Sequence, residues 1–235
     1  MGVTEARFSD TQAGIPLRPI DYSEELSLCD DSDVDDVIIV NATYYVFKRQ
    51  KVWFQIKRYG ERVYRTNVTI KDVFPNLDDD IDAAYSEESN DVYFFKGPMC
   101  WKYKLINITS FSLYSGYPRT IDNDFPGIPS GIQAVTKVSA YRNGFIYFFK
   151  DNLFYRFEPK RVPHIRSTYP RLISDVWNGI PDNLNGCVYD PRKKWLFFFK
   201  GLNYLRFDMV MHRMSYNGTE QKTTAEDFFD CVPRP

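Results

Sequence analysis

The sequence predicts an all-β fold, a four-bladed β-propeller whose blades of four antiparallel strands are joined by short connecting helices. Its main support is a run of aromatic and β-branched residues that occurs four times and ends at Lys48, Lys96, Lys150 and Lys200. These lysines are spaced by 48, 54 and 50 residues. A strand-rich repeat of about fifty residues is typical of propeller blades, because one small sheet cannot bury both of its faces alone. The aromatic content of 17% also suits sheets stacked face to face.

Composition argues against two classes of protein. The 235 residues include 30 basic and 31 acidic side chains, for a net charge of -1. Without a basic run or stripe, a nucleic-acid partner has no electrostatic support. No apolar segment is long enough to span a bilayer, and residues 1–10 lack the hydrophobic core of a signal peptide.

The repeats divide the chain into a leader, a ring and a tail. We interpret residues 1–28 as a linker, hinge or leader, because they contain no repeat and Pro16 and Pro19 disfavour a helix there. The propeller is predicted over residues 29–231 and a tail over 232–235. The four blades are predicted near residues 29–76, 77–127, 128–180 and 181–231.

Each blade is predicted to begin with a strand of small or β-branched residues that lines the central axis, where space is tightest. These strands start at Asp35-Asp36-Val37, Asp82-Ala83-Ala84, Gln133-Ala134-Val135 and Asn185-Gly186-Cys187. The aromatic run is the second strand, and a hairpin turn follows its lysine. The turns contain Gly97, Gly201 and the pair Asp151-Asn152, which suit tight hairpins. Blade one has Arg49-Gln50 instead, which predicts a longer turn or one of another type.

The connections between blades repeat as well. The segment from Tyr117 to Ile121 recurs from Tyr169 to Ile173, and Gly127-Ile128-Pro129 recurs as Gly179-Ile180-Pro181, each displaced by 52 residues. Between these motifs we expect one or two helical turns with an inward aromatic residue. They are predicted over Asp122–Phe125 and Ser174–Trp177, with proline ending each helix.

The cysteines and sequons indicate the outside of a cell. Cys29 and Cys231 flank the repeats, so a bond between them would fasten the last blade to the first, contributing roughly 4–5 kcal/mol by loop closure. Such a bond persists in an oxidising compartment. Cys100 and Cys187 lie inside predicted strands and are interpreted as packing residues. The glycosylation acceptor pattern occurs at Asn41, Asn67, Asn107 and Asn217.

No catalytic constellation is present in the sequence. A zinc metalloproteinase needs two histidines one helical turn apart with a glutamate between them, whereas His164 and His212 are isolated in polar segments. No nucleophile elbow, phosphate-binding loop or Cys-x-x-Cys pair occurs. Two isolated histidines also do not supply the enclosed axial donors that heme iron requires. We therefore expect function to lie in binding surfaces and heme not to bind.

At this level of detail the pattern resembles the hemopexin-like repeat family. It is most similar to the C-terminal hemopexin-like domain of the matrix metalloproteinases, including the membrane-type ones. The resemblance covers about 200 of the 235 residues. It rests on Asp82-Ala83-Ala84, on the Phe-Phe-Lys-Gly turns at Phe94–Gly97 and Phe198–Gly201, on the Tyr-Pro-Arg and Gly-Ile-Pro connectors, and on the terminal cysteine pair.

The resemblance implies ions in the central channel. A structural calcium ion would be held by the main-chain carbonyls of Asp35, Asp82, Gln133 and Asn185, which offer hard oxygen ligands. An anion would be held by the main-chain amides of Val37, Ala84, Val135 and Cys187. Chloride and sodium are further candidates. The alternative is that these residues only start the strands and that any ion is incidental.

The resemblance also implies a function, with an alternative. The first hypothesis is a non-catalytic exosite of an extracellular matrix metalloproteinase, whose parent protein is a zinc metalloendopeptidase, secreted or tethered to the cell surface. Its implied partners are matrix proteins such as collagen, tissue inhibitors of metalloproteinases, and a second copy of the chain. The alternative is an adhesion or carrier glycoprotein similar to vitronectin or hemopexin. Arg119, Tyr169 and Arg171 on the connectors could contact partners, but their repetition favours a structural role.

Overall fold

The computed structural model describes residues 29, 33–58, 61–139, 144–214 and 222–229. Within these ranges the strands form four antiparallel sheets that follow one another along the chain. The predicted all-β, four-bladed propeller is therefore confirmed. The leader predicted over residues 1–28 and the tail predicted over 232–235 lie outside the described residues.

The first two sheets are built from consecutive strands. The first contains β1 (Asp36–Val40), β2 (Thr43–Lys48), β3 (Lys51–Arg58) and β4 (Glu61–Thr69). The second contains β5 (Ala83–Ser86), β6 (Asp91–Lys96), β7 (Met99–Asn107) and β8 (Ser110–Leu113). The short β9 (Arg119–Thr120) also pairs with β7, so the outer strand of this blade is interrupted.

The last two sheets repeat this arrangement. The third contains β10 (Ala134–Val138), β11 (Phe145–Lys150), β12 (Leu153–Phe157) and β13 (Arg171–Leu172). The fourth contains β14 (Gly186–Asp190), β15 (Trp195–Lys200), β16 (Asn203–Asp208) and β17 (Arg213–Met214). A further strand, β18 (Lys222–Thr223), pairs with β16. The inner strands β1, β5, β10 and β14 pack in that order, and β14 packs back on β1 to close the ring.

All four blades make the same two-residue turn between their second and third strands. Its first residue has a positive φ of 54° at Arg49, 53° at Gly97, 53° at Asp151 and 54° at Gly201. In blade one Lys48 pairs with Lys51, so the prediction of a longer or different turn there is wrong. The Asp35 carboxylate accepts a hydrogen bond from the Arg49 amide, which compensates for placing a non-glycine residue at a left-handed φ.

The lysine that ends the aromatic run fixes the entry of the inner strand in its own blade. Lys150 Nζ donates to the Ser130 carbonyl at 2.8 Å, three residues before Gln133. Lys96 and Lys200 donate to the carbonyls of Asp79 and Asn183 in the same way. The repeated lysine therefore has a structural role.

Short helical turns connect the blades. They span Ile70–Val73, Ile121–Asp124, Ile173–Val176 and, as a π-helical turn, Thr224–Phe228. The predicted helical turns before Phe125 and Trp177 are thus confirmed. In the described part of the chain, no helix is long and apolar enough to cross a membrane.

An aromatic residue at the end of each helical turn is buried between two blades. We call Phe74, Phe125, Trp177 and Phe228 the wedge aromatics. Trp177 illustrates their position: its ring lies 6.2 Å from Phe149 of blade three and 5.8 Å from Phe198 of blade four, centroid to centroid. Four hydrophobic clusters, one between each pair of neighbouring blades, make up the core.

Two cysteines belong to this core. Cys100 in β7 and Cys187 in β14 are buried free thiols. Burial, with the nearby charge of Asp124, raises the pKa of Cys100 to about 12. Burial, with the nearby charge of Asp36, raises the pKa of Cys187 well above its ordinary value. Cys231 lies outside the described residues, so its pairing with Cys29 stays a prediction.

Replacing a wedge aromatic should destabilise the ring. Trp177→Ala removes a side chain that is 3% exposed, and we expect the free energy of unfolding to fall by about 3–5 kcal/mol. The adjacent Val176→Ala is the matched control, because Val176 is 39% exposed and its loss should cost less than about 0.5 kcal/mol. Urea unfolding of both variants measures the difference. Equal losses of unfolding free energy in the two variants would contradict the packing role of Trp177 between blades three and four.

The thiols should be protected in the folded chain. Only a thiolate reacts readily with iodoacetamide, so at pH 8 neither Cys100 nor Cys187 should be alkylated until the protein unfolds. In denaturant without reductant, mass spectrometry should find both alkylated, with Cys29 joined to Cys231. Alkylation of Cys29 or Cys231 under those conditions would argue against the predicted disulfide, and labelling of the native chain would argue against the buried thiols.

Candidate functional site

The four residues predicted to hold a metal line one cavity at one mouth of the central channel. Asp35, Asp82, Gln133 and Asn185, one from each blade, surround a space of about 340 Å³. The ring closure of β1, β5, β10 and β14 brings them together, because each precedes an inner strand. One residue from each of the four blades therefore lines the same volume.

The side chains of these four residues hold the hairpin turns. Each accepts a hydrogen bond from the amide of the first turn residue in its own blade. The nitrogen-to-oxygen distances are 2.7 Å from Gly97 N to Asp82, 2.6 Å from Asp151 N to Gln133 and 2.8 Å from Gly201 N to Asn185. Since Asp, Gln and Asn all provide an acceptor oxygen, the variation among the four positions has a physical reason.

The mouth of this cavity is acidic. Burial and the neighbouring charges of Asp80 and Asp33 raise the pKa of Asp35, against a lowering by its hydrogen bond from Arg49. A cation at this mouth would relieve the repulsion between these carboxylates. Oxygen ligands at an acidic mouth fit a hard divalent cation such as calcium.

Deeper in the channel lies the carboxylate of Asp36, which is 0% exposed. Its Oδ1 accepts hydrogen bonds from Val37 N at 2.8 Å and Cys187 N at 3.2 Å. Its Oδ2 accepts one from Ala84 N at 2.7 Å. Amides from blades one, two and four thus converge on one side chain.

These three amides are among the four predicted to bind an anion. Val135 N, the fourth, is not a donor to Asp36 in the described structure. The acceptor at the meeting point of Val37 N, Ala84 N and Cys187 N is thus the chain's own carboxylate. The sequence held a signal for this result: the repeat position of Asp36 is Ala83, Ala134 and Gly186 in the other blades.

Gly186 makes room for this carboxylate. A Cβ at Gly186 would lie 2.9 Å from Asp36 Cα and closer still to Oδ1. Real Cβ atoms essentially never approach a backbone atom so closely, so an alanine at 186 would force the inner strands apart. The glycine in blade four therefore leaves the space that the Asp36 side chain occupies.

The opposite mouth of the channel has paired charges. A second cavity of about 350 Å³ lies among the far ends of the inner strands, beside Ile39, Ser86, Lys137 and Tyr189. Lys137 forms ion pairs with Glu87 and Glu88. Sequence analysis did not identify this mouth, because its residues share no repeated motif.

The remaining candidates are separate from both mouths. His164 stacks on Phe157 with ring centroids 4.8 Å apart, and His212 is exposed in a turn. In the described ranges, no group of three or more His, Cys, Asp or Glu side chains could hold a metal ion.

The connector residues have structural contacts. Arg119 donates to Asp124 at 3.0 Å and lies 4.1 Å over the ring of Tyr117. Tyr169 packs on Phe154 at 5.5 Å. Arg171 is exposed in β13. These contacts support the structural interpretation of Arg119 and Tyr169.

Two of the four sequons can be placed. Asn41 is exposed in the turn between β1 and β2. Asn107 is exposed at the end of β7, and its Oδ1 accepts from the Thr109 amide at 3.0 Å and hydroxyl at 3.1 Å. The side chain of Asn67 and all of Asn217 lie outside the described residues.

The comparisons with known proteins agree with this architecture. Residues 81–130 and 132–182 match the family model described as Hemopexin. Macrophage metalloelastase of Oryctolagus cuniculus is 29% identical over 210 residues, which are 88% of this chain and 41% of that protein. Neutrophil collagenase of Homo sapiens is 27% identical over 188 residues, 80% of this chain and 38% of that protein. The chain thus spans about two fifths of these relatives.

Solved structures agree on the fold. The hemopexin fold protein CP4 from cow pea superposes with a TM-score of 0.67 at 18% identity, covering 84% of this chain and 95% of CP4. A plant lectin with two metal binding sites from Cicer arietinum superposes with a TM-score of 0.68 at 17% identity, covering 84% of this chain and 96% of the lectin. At such identities the likeness shows the fold alone.

Sequence and structure therefore converge on one family. The repeated inner strands, the two-residue turns after lysine, the closed ring of four sheets and the matches to relatives all describe the same unit. Residues 81–130 and 132–182 are hemopexin repeats, and the chain is similar to the hemopexin-like domains of the matrix metalloproteinases.

Proposed function

We propose that the chain is the non-catalytic recognition domain of an extracellular matrix metalloproteinase. It binds matrix proteins such as collagen, tissue inhibitors of metalloproteinases, or both. The observation that supports this proposal most is the match to metalloelastase and collagenase over most of this chain but less than half of each relative. A recognition domain within a larger protease has this relation to its relatives.

The rim of the propeller supplies candidate contact residues. Among the described residues, nearly all aromatic side chains pack in the four clusters between blades. Large apolar side chains that remain exposed include Val210 and Met211, which adjoin in the turn after β16 and are about three fifths exposed. Adjacent exposed apolar residues are suited to a protein partner, because their burial is favourable on binding.

Binding without hydrolysis is the expected behaviour of the 235-residue chain. Surface plasmon resonance against immobilised triple-helical collagen and against a tissue inhibitor of metalloproteinases should detect binding to at least one, with no new collagen fragments on a gel. The double variant Val210→Ser with Met211→Ser should weaken that binding by about tenfold or more. Leu172→Ser with Val176→Ser is the matched control on blade three and should bind as the parent chain does. Failure to bind either partner would contradict the proposal.

The proposed setting is extracellular. The Cys29–Cys231 disulfide would lock the ring, and glycans would be attached at Asn41, Asn67, Asn107 and Asn217. The exposure of Asn41 and Asn107 supports acceptor sites at these two positions.

A structural calcium ion is proposed at the acidic mouth. The main-chain carbonyls of Asp35, Asp82, Gln133 and Asn185 would hold it, and the surrounding cavity and carboxylates support this assignment. Bound there, calcium would link all four blades at one point.

Calcium should therefore stabilise the chain after treatment with EDTA. At about one hundred times its dissociation constant, calcium should raise the melting temperature by about 5–10 °C. Asp82→Asn should retain this effect, because asparagine keeps both the main-chain carbonyl and an acceptor for Gly97 N. Differential scanning calorimetry with calcium, and with magnesium as the control cation, measures the shift. No calcium-dependent shift would contradict the site.

A further inference from the structure

The repeat position occupied by Asp36 has an unusual residue for its surroundings. In blades two and three the position is alanine, in blade four it is glycine, and all four residues are fully buried beside the axis. Burying a carboxylate costs several kcal/mol unless its charge is met by hydrogen bonds or by a cation. Other interactions must therefore offset the free-energy cost of burying the Asp36 carboxylate.

Three main-chain amides offset part of this free-energy cost by donating hydrogen bonds to the carboxylate. Val37, Ala84 and Cys187 donate at 2.8, 2.7 and 3.2 Å. Among the described residues, no lysine, arginine or histidine nitrogen forms an ion pair with Asp36. Convergent amides of this kind form an anion-binding concavity, and here its occupant is covalently attached to the chain.

We propose that Asp36 is a built-in anion, which fills the amide-lined centre of the channel in place of a free halide. Because this carboxylate occupies the amide-lined centre, the channel takes a cation at the Asp35 mouth and no soluble anion beneath it. The chain thereby carries its own counter-charge for the axis of the propeller.

Gly186 is the second residue on which this arrangement depends. The carboxylate needs the space that a Cβ at 186 would fill, since that Cβ would lie 2.9 Å from Asp36 Cγ and closer still to Oδ1. Asp36 and Gly186 thus act as a coupled pair from opposite ends of the chain, meeting where blades one and four close the ring.

Removing the carboxylate should open a halide site. In Asp36→Ala the three amides lose their acceptor, and bromide can take its place. The parent 235-residue chain and this variant are melted in sodium gluconate and then in sodium bromide at constant ionic strength. At about one hundred times its dissociation constant, bromide should raise the melting temperature of Asp36→Ala by about 5–10 °C relative to gluconate and leave the parent within about 1 °C.

Crystals soaked in bromide locate the ion. Anomalous diffraction should show bromine beside Val37 N, Ala84 N and Cys187 N in Asp36→Ala and not in the parent chain. Bromine at these amides in the parent chain would overturn the proposal. So would an Asp36→Ala variant that folds and is indifferent to bromide.

The coupling to Gly186 provides a test that does not depend on halide. Gly186→Ala should lower the melting temperature of the parent chain strongly, by about 5 °C or more. In the Asp36→Ala background the same substitution should cost less, because the new Cβ no longer meets the carboxylate, although its close approach to the Cα of residue 36 remains. Equal effects of Gly186→Ala in both backgrounds would overturn the proposal. If Asp36→Ala alone does not fold, Asp36→Gly, which repeats the residue of blade four, takes its place in the bromide experiment.

A calcium experiment tests the counter-charge and rests on the proposed calcium site. Asp36→Asn keeps the shape but loses the charge and one of the two acceptor oxygens, so calcium should bind at least about tenfold more weakly by titration calorimetry. In Asp36→Ala, bromide should restore calcium affinity. If the parent chain binds no calcium, the calcium site is refuted while the halide and Gly186 results still decide the role of Asp36. If calcium binds the parent chain and Asp36→Asn equally, the counter-charge is refuted.

Discussion

The structure depends on one packing arrangement, an aromatic ring inserted between neighbouring blades. Each sheet is too small to have a core of its own, so its apolar faces are buried against the next sheet. Phe74, Phe125, Trp177 and Phe228 occupy these four boundaries, each contacting strands from both sides. Because the helical turns that carry these rings also connect the blades, the connection and the core are set by the same residues.

Closure of the ring then determines what the axis can hold. Four inner strands converge, and their first residues bring oxygen atoms to one mouth while amides meet below. One oxygen of each side chain at the mouth accepts a hydrogen bond from a hairpin turn, and the proposed calcium site would use the main-chain carbonyls. Such a site would depend on backbone geometry more than on side-chain identity, which would link fold and candidate function closely.

The architecture could be predicted from the sequence because the number and spacing of the repeats give the number of blades. The lysine spacing predicted four blades, and the displaced connectors predicted the helical turns before Phe125 and Trp177. Two local features escaped it. Arg49 adopts a left-handed φ that arginine alone disfavours, since its partner Asp35 is supplied by the preceding strand. Asp36 resembled an ordinary strand start, and only the closed ring shows that its carboxylate meets amides from distant blades.

The pairing of a large residue at 36 with the smallest one at 186 has a consequence for modularity. Although the blades share one sequence pattern, they are not interchangeable. Moving blade four to another position would separate Gly186 from the Asp36 side chain that it accommodates. A propeller built from these blades in another order would have to keep blade one beside blade four. Blades one and four therefore fit each other through Asp36 and Gly186, and this fit defines the point at which the ring closes.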